Sequence, residues 1–273
     1  MSKGHIFLAQ NSDINYVRQA CGLALSIKKF NKENKTCIVT NDEIPYEYKH
    51  AFDYVVAIPW SDQAETSTWK IENRWKIIHA TPFKENIVYD VDMILLNSND
   101  HWWQHLSKHD LCFTSTVFDY RSSIIENNFY RKTFTANNLA NVYTGCFYFK
   151  KGNKAFEFFK WLDIITNNWQ EFYKKFLPNH PQKFVSIDVS AALALKFMNN
   201  ENVVIKNNFV PSFTHMKPMI QDWRNFPSKW TNVLPCYFNT NSELKVANIR
   251  QQGLFHYVED EFLTDDILHK LLT

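Results

Sequence analysis

Two rhythms of apolar and polar positions run along this chain. Residues 4–10, "GHIFLAQ", form a short apolar run and read as a first strand. Over 13–30 the period lengthens to that of a helix. Val17, Ala20, Cys21, Ala24 and Ile27 fall on one face, and Lys28 and Lys29 stand near the end, where cations suit the last turn. "KTCIVTND" (35–42) and "YVVAIPW" (54–60) return to strand character. "WKIENRWKIIHAT" (69–81) is predicted as a helix with Ile71, Trp75 and Ile78 on its buried side, and "NIVYDVDMILL" (86–96) as a further strand. Strands are again expected at 110–118 and 142–151. A long amphipathic helix follows over 154–176, ending in Lys174 and Lys175, and another over 185–199, with Ser186 or Asp188 near its start. The last third mixes loops with short strands: "VVIKNNF", "SFTHMKP", "LKVAN" and "GLFHYV". Strands that alternate with helices imply βαβ units, hence an α/β fold with a mostly parallel, doubly wound sheet flanked by helices.

One run breaks the pattern. Within 86–96, Asp90 and Asp92 interrupt an otherwise apolar strand. Burying an unpaired carboxylate costs several kcal/mol, so both need a reason to be there. Open α/β sheets bind ligands beyond the carboxyl ends of their strands, and the two aspartates fall where a strand empties into that crevice. The bland alternative is a turn with two solvated carboxylates.

Composition narrows the class. At 273 residues and 45% apolar the chain can bury a full core without disulfides. No linker, repeat or low-complexity stretch divides it, so a single domain over 1–273 is expected. Its five cysteines are an odd number without CxxC spacing, which reads as ordinary thiols in a reducing compartment. No signal peptide or membrane-length apolar run is seen, and a soluble cytoplasmic protein is expected. A net charge of +2 falls short of a typical nucleic-acid-binding domain. Aromatics are abundant, with 23 Phe and 9 Trp, while only five glycines occur, which makes Gly145 in a strand notable. It would let the backbone approach a ligand, or mark a β-bulge.

Several segments, in order, resemble the glycogenin-like (family 8-type) nucleotide-sugar glycosyltransferases of the GT-A fold. "HIFLAQNS" is similar to their opening nucleotide-binding strand and "VYDVDMILL" to their metal-binding DxD segment. Arg74 lies sixteen residues before Asp90, where the family carries a basic residue. "YTGCFYF" resembles the family's Asn-Ser/Thr-Gly strand, "SIDVSAAL" its Asp-Gln segment, and "GLFHYV" the strand of a late metal-binding His. The chain departs from that pattern in places. Val189 stands where the family has Gln, Tyr143 and Thr144 replace Asn-Ser or Asn-Thr, and the late His-containing string is divided between "HMKP" (215–218) and "FHY" (255–257).

The resemblance implies a retaining transferase with a UDP-sugar donor and Mn²⁺ or Mg²⁺. Residues 1–100 would form the nucleotide-binding half and 101–273 the acceptor half. Asp90, Asp92 and His256 are expected to bind the metal, with His215 as the competing imidazole. Expected around the donor are Ala9, Gln10, Asn11, Arg74, Lys76, Asp90, Thr144, Gly145 and Lys217. Asp188 and Arg74 would be catalytic, Asp188 as nucleophile or oxocarbenium stabiliser; its plain alternative is a helix N-cap. The plain alternative for Arg74 and Lys76 is a solvated helix face, and for His256 a core histidine.

The acceptor is read from interleaved basic and aromatic residues: "FYRKTF" (129–134), "FYKKF" (172–176) and "HPQKF" (180–184). Such interleaving suits phosphate contacts with stacking on an extruded base. With a composition resembling phage proteins, it favours 5-hydroxymethylcytosine in duplex DNA, touched by Arg131, Lys132, Lys174, Lys175 and His215, inside a host cytoplasm. Solvated faces over core aromatics explain the same residues. A glycan, lipopolysaccharide or protein acceptor, or a non-catalytic nucleotide-sugar- or DNA-binding module, are the other readings.

Overall fold

A computed structural model describes residues 2–65, 67, 70–125, 131–206, 210–218 and 229–272. The chain opens with β1 (Lys3–Leu8), α1 (Tyr16–Phe30), β2 (Thr36–Val39), β3 (Tyr54–Val56), α2 (Ile77–Ala80) and β4 (Glu85–Tyr89). It continues through β5 (Met93–Leu95), α3 (Trp102–Leu106), β6 (Leu111–Thr114), β7 (Val117–Phe118), α4 (Lys132–Ala136), β8 (Tyr143–Lys150), α5 (Asn153–Asn167), α6 (Trp169–Phe176) and α7 (Ile187–Phe197). The remainder supplies β9 (Val204–Ile205), β10 (Phe213–His215), β11 (Cys236–Phe238), β12 (Leu244–Val246), β13 (Ile249–Arg250), β14 (Leu254–His256) and α8 (Asp265–Leu272).

The main sheet has the order β3-β2-β1-β4-β8-β6-β9. β3, β2, β1 and β4 are parallel, β8 runs antiparallel to both β4 and β6, and β9 is parallel to β6. Both faces are covered, so successive residues along a strand enter different cores. Phe7, Ile87, Tyr89, Cys146 and Tyr148 join the apolar cluster that includes α1 and Trp230. Ile6, Leu8, Val88, Phe147 and Phe149 join the cluster formed with α5 and α7. A second sheet, β5-β14-β10-β7, packs beside the first, and β11-β12-β13 form a small antiparallel sheet.

The periodicity of α1 predicts its buried face correctly: Val17, Ala20, Cys21, Ala24 and Ile27 are all buried. Four expected elements are corrected. The run 86–96 is two strands in different sheets: β4 pairs with β1 and β8, and β5 pairs antiparallel with β14. Asp90, Val91 and Asp92 are the step between them. The run 110–118 divides likewise into β6 and β7. The helix expected over 154–176 breaks at Asn168 (φ −129°, ψ 29°), which ends α5 and precedes α6. Instead of a helix over 69–81 there is a 3₁₀ turn, Arg74–Lys76, followed by the four residues of α2, and Trp69 lies outside the described residues. The tighter turn moves Lys76 into the interior at 1% exposure and leaves Trp75 half-buried.

Among the described residues no helix is long and apolar enough to cross a membrane. All five cysteines are free thiols, and Cys21, Cys37, Cys112 and Cys146 are buried.

One buried hydroxyl ties α1 to the second sheet. Ser26 Oγ donates to the Leu23 carbonyl (2.7 Å) and accepts from the Leu95 amide (2.8 Å). Ser26→Ala leaves that amide N–H buried without a partner, so the variant is expected to lose about 1–3 kcal/mol of unfolding free energy. Urea denaturation measures it, and an unchanged midpoint would show that the bond contributes nothing.

Candidate metal centre and donor pocket

The step between β4 and β5 lies at the carboxyl end of β4, and it puts two carboxylates in the gap between the sheets. Asp90 continues the β4–β8 ladder by one bond, its amide donating to the Gly145 carbonyl (2.7 Å). Its side chain forms an ion pair with Arg74. Asp92 Oδ2 lies 3.0 Å from His256 Nε2 at the end of β14. One ligand atom each from Asp90, Asp92 and His256 all fall within 4.8 Å of one another. Two hard oxygen donors and one imidazole suit a divalent cation of the Mg²⁺ or Mn²⁺ kind, Mn²⁺ accepting the nitrogen more readily. The residues present therefore fit such an ion.

Neighbouring opposite charges offset the cost of burial at the site. Burial opposes a charge on His256, but the adjacent Asp92 carboxylate, its hydrogen bond and then Asp90 outweigh this and raise the pKa. Burial likewise opposes the charge on Arg74, and Asp90, then Asp92 and Asp188, push its pKa up. Two carboxylates thus face a guanidinium and an imidazole.

His215 is the neighbour of His256, on the parallel strand β10 in direct register. Their rings stack with centroids 4.4 Å apart and planes 3° from parallel. Burial first, then His256, Lys217 and Arg131 hold the pKa of His215 well below its ordinary value. The structure groups His256, the imidazole preferred on sequence grounds, with the two carboxylates.

A cavity of about 130 Å³ beside the carboxylates is lined by Leu8, Gln10, Tyr16, Lys70, Arg74, Asp90, Val91 and Asp92. Gln10 belongs to a polar network: its Nε2 donates to Asp62 (2.6 Å) and its carbonyl accepts from Asn73 (2.8 Å). Ala9 is buried beyond the end of β1, its amide donating to the Val39 carbonyl (3.0 Å). The amide of Asn11 donates to Asp42 (2.7 Å), and its side chain accepts from the Val17 amide in the first turn of α1 (3.0 Å). Lys76 does not line the cavity, since its Nζ donates to the Ser61 carbonyl.

Sequence reasoning missed Tyr16 and Lys70. Tyr16 opens α1, where burial, then Asp92 and Asp90, push its phenol up. Lys70 Nζ donates to the carbonyls of Ala64 and Glu65, both at 2.8 Å. The tyrosine just outside an apolar stripe and the lysine in a loop carry no periodic signal.

Gly145 sits in a register irregularity. Phe113 pairs with Phe147 but Thr114 with Tyr143, so 144–146 bulge from the β6 edge. A Cβ on Gly145 would come 2.9 Å from Met93 Cε, 3.1 Å from Phe213 Cζ and 3.3 Å from Asp90 Oδ2. The bulge alternative holds, and the missing Cβ leaves room for these three protein side chains. Freed from the ladder, the Thr144 amide and hydroxyl both donate to Asp188 Oδ1, at 2.9 and 2.5 Å. Asp188 is in the first turn of α7 while Ser186 holds the N-cap position, which corrects the N-cap alternative for Asp188. Val189 is fully buried in the core.

The expected acceptor residues do not share one surface. Arg131 is 3% exposed and ion-paired with Asp188 at 2.7 Å, so the reading of it as a surface contact to duplex phosphate is corrected. Lys132 is exposed at the start of α4. Lys174 and Lys175, exposed in the last turn of α6, line a separate groove with Trp161, Phe172, Phe176 and Phe197. Lys217 is half-buried, one residue after Met216, whose amide donates to the His256 carbonyl (3.0 Å). Of "FYRKTF", residues 129 and 130 lie outside the described residues.

No protein-family model and no curated protein matches the chain. Solved structures do. The galactosyltransferase LgtC, solved with donor and acceptor sugar analogues, is similar with a TM-score of 0.51 and 12% identity, over 98% of this chain and 95% of that one. An active-site mutant of LgtC gives a TM-score of 0.51 and 12% identity over 94% and 87%. Apo GlyE from Streptococcus pneumoniae TIGR4 gives 0.45 and 13% over 99% of this chain and 63% of that one. At these identities the likeness is one of fold. The chain has the single-domain α/β architecture of GT-A glycosyltransferases, a mostly parallel mixed sheet flanked by helices.

Two outcomes follow for the metal centre. His256→Ala is expected to weaken Mn²⁺ binding, measured with UDP present, by more than about tenfold, and His215→Ala by less. The reverse ranking would move the ligand to His215. The second outcome concerns pH. The folded pKa of His256 lies above its unfolded value. Its stabilising contribution to the ion-free protein is therefore complete below the unfolded value and is lost as pH rises through the folded one. A metal ligand must shed that proton, so Mn²⁺ affinity should rise through the same interval with proton release. Calorimetry in buffers of different ionisation enthalpy reads the proton directly, and binding without release would refute the assignment.

Proposed function

We propose that this chain is a metal-dependent glycosyltransferase that moves a sugar from a UDP-sugar to an acceptor hydroxyl with retention of anomeric configuration. One observation carries the reading: Asp90, Asp92 and His256 converge beside Arg74 and a cavity, at the end of β4. The GT-A fold shared with LgtC, which was solved with donor and acceptor sugar analogues, supports it.

The bond between the anomeric carbon and the β-phosphate oxygen breaks, and one from that carbon to the acceptor oxygen forms. Positive charge grows on the sugar and negative charge on the diphosphate. Asp90, Asp92 and His256 would hold a divalent ion, which when bound would supply Lewis-acid neutralisation of the diphosphate. Arg74 adds a guanidinium fork for phosphate or sugar hydroxyls. Tyr16 offers a ring face, and Gln10 and Asn11 offer polar edges, for the base and ribose. Asp188 is the carboxylate for the sugar side. The acceptor's proton leaves with the departing phosphate oxygen, so no separate base is required. The five free thiols support a reducing, cytoplasmic setting.

For the acceptor, the shared fold of LgtC favours a sugar hydroxyl. The second reading, 5-hydroxymethylcytosine in duplex DNA, now rests on Lys132, Lys174 and Lys175, because Arg131 is buried.

Thermal shift with a panel of nucleotide-sugars, with and without Mn²⁺, tests the donor. A UDP-sugar should raise the melting temperature only with the ion, by mass action. Asp92→Ala should keep the fold, lose that shift and abolish Mn²⁺-dependent release of UDP. Full turnover in excess EDTA sinks the metal-dependent reading, and binding without any hydrolysis leaves a non-catalytic module. Changing Lys132, Lys174 and Lys175 to Ala decides the acceptor. Each lost phosphate contact should lower the salt slope of duplex binding by about one. A slope indifferent to all three changes, with no sugar on hydroxymethylcytosine by nucleoside mass spectrometry, removes DNA and retains the enzyme class.

A further inference from the structure

The segment "FYRKTF" drew attention as a surface motif, yet its arginine points inward. Arg131 Nη1 donates to Asp188 Oδ2 (2.7 Å), Nε to the Asn141 side chain (2.6 Å) and Nη2 to the Val142 carbonyl. The guanidinium carbon sits 3.8 Å from the centroid of the Phe134 ring and 4.0 Å from that of Tyr143. Planar stacking and a fork of donors are properties of arginine that lysine does not share. Tyr143 in turn meets His215 edge-on, ring centroids 6.3 Å apart, and His215 stacks on His256. Arg131 is thus joined by packed rings to the metal centre and by an ion pair to Asp188.

Asp188 accepts three hydrogen bonds, one from Arg131 and two from Thr144. An ionised carboxylate offers about four lone-pair sites, and fixed donors engage three of them here. A carboxylate oriented in this way suits a charge that develops at one defined place. We propose, on the transferase reading above, that Arg131 is a positioning residue: with Thr144 it holds Asp188 as a fixed carboxylate facing the donor sugar. The structural cost of a buried ion pair is then tied to the chemical step.

Arg131→Lys keeps the charge and loses the fork and the stacking. Steady-state hydrolysis of a UDP-sugar turned over by the wild type is compared with Mn²⁺–UDP binding and near-ultraviolet circular dichroism. The expected result is a folded variant with KM and UDP affinity near wild type and kcat lower on the order of tenfold to a hundredfold, as for a misplaced catalytic group. Millimolar methylguanidinium should restore kcat to Arg131→Ala by refilling the slot between Phe134 and Tyr143. If Arg131→Lys does not fold, Thr144→Val, which removes one bond to Asp188 and leaves the ion pair, should show the same kcat loss. Wild-type kcat in the folded variant overturns the proposal and leaves the transferase reading intact. So does a loss confined to donor binding. A wild type that hydrolyses no nucleotide-sugar overturns the transferase reading, and the role of Arg131 with it.

Discussion

The constraint on which the site depends is charge compensation in the gap between two sheets. Asp90 and Asp92 flank a single buried valine in the step from β4 to β5, and each side chain is only 19% exposed. Each carboxylate has its own partner, the Arg74 guanidinium for Asp90 and the His256 imidazole for Asp92. Removal of either partner would leave a carboxylate whose desolvation is less well offset. The partners come from separate parts of the chain: a 3₁₀ turn ahead of β4 and the last strand of the second sheet. Compensation of two neighbouring charges fixes how the two sheets must meet.

The same logic governs Asp188. A carboxylate in the first turn of a helix can bond to its own backbone amides, and it is favoured there by the helix dipole. Here its oxygens are taken instead by the irregular stretch of β8 and by Arg131. The bulge exposes the amide that a regular ladder would have consumed, and the scarce glycine next to it gives room for Met93 and Asp90. An irregular strand and an arginine packed against two rings together make one oriented carboxylate.

Much of this was legible in the sequence, and the failures have physical causes. The period of α1 is carried by five apolar positions on one stripe, and all five are buried. The run 86–96 reads as one strand because apolar residues look alike whichever sheet they enter; the two aspartates were the visible sign of the break. Apolar periodicity passes through Asn168 without a change of phase, so one helix was expected where two occur. His215 and His256 were hard to rank because the parallel register places them side by side, with His256 facing Asp92. Arg131 was misread because its partner, Asp188, lies 57 residues away, and nothing local distinguishes a buried arginine from a solvated one.

The separation of Asp92 from His256 has a further meaning. Well over half of the chain lies between these two residues, and β5, which follows Asp92, is adjacent and antiparallel to β14, which carries His256. An ion gripping both would act as a staple across a very long loop, the kind of closure whose entropic contribution is largest in principle. Filling of the site and the pairing of β5 with β14 would then be a single event. A growing polypeptide would lack His256 until β14 arrived, so the three-residue cluster cannot form before the second sheet does.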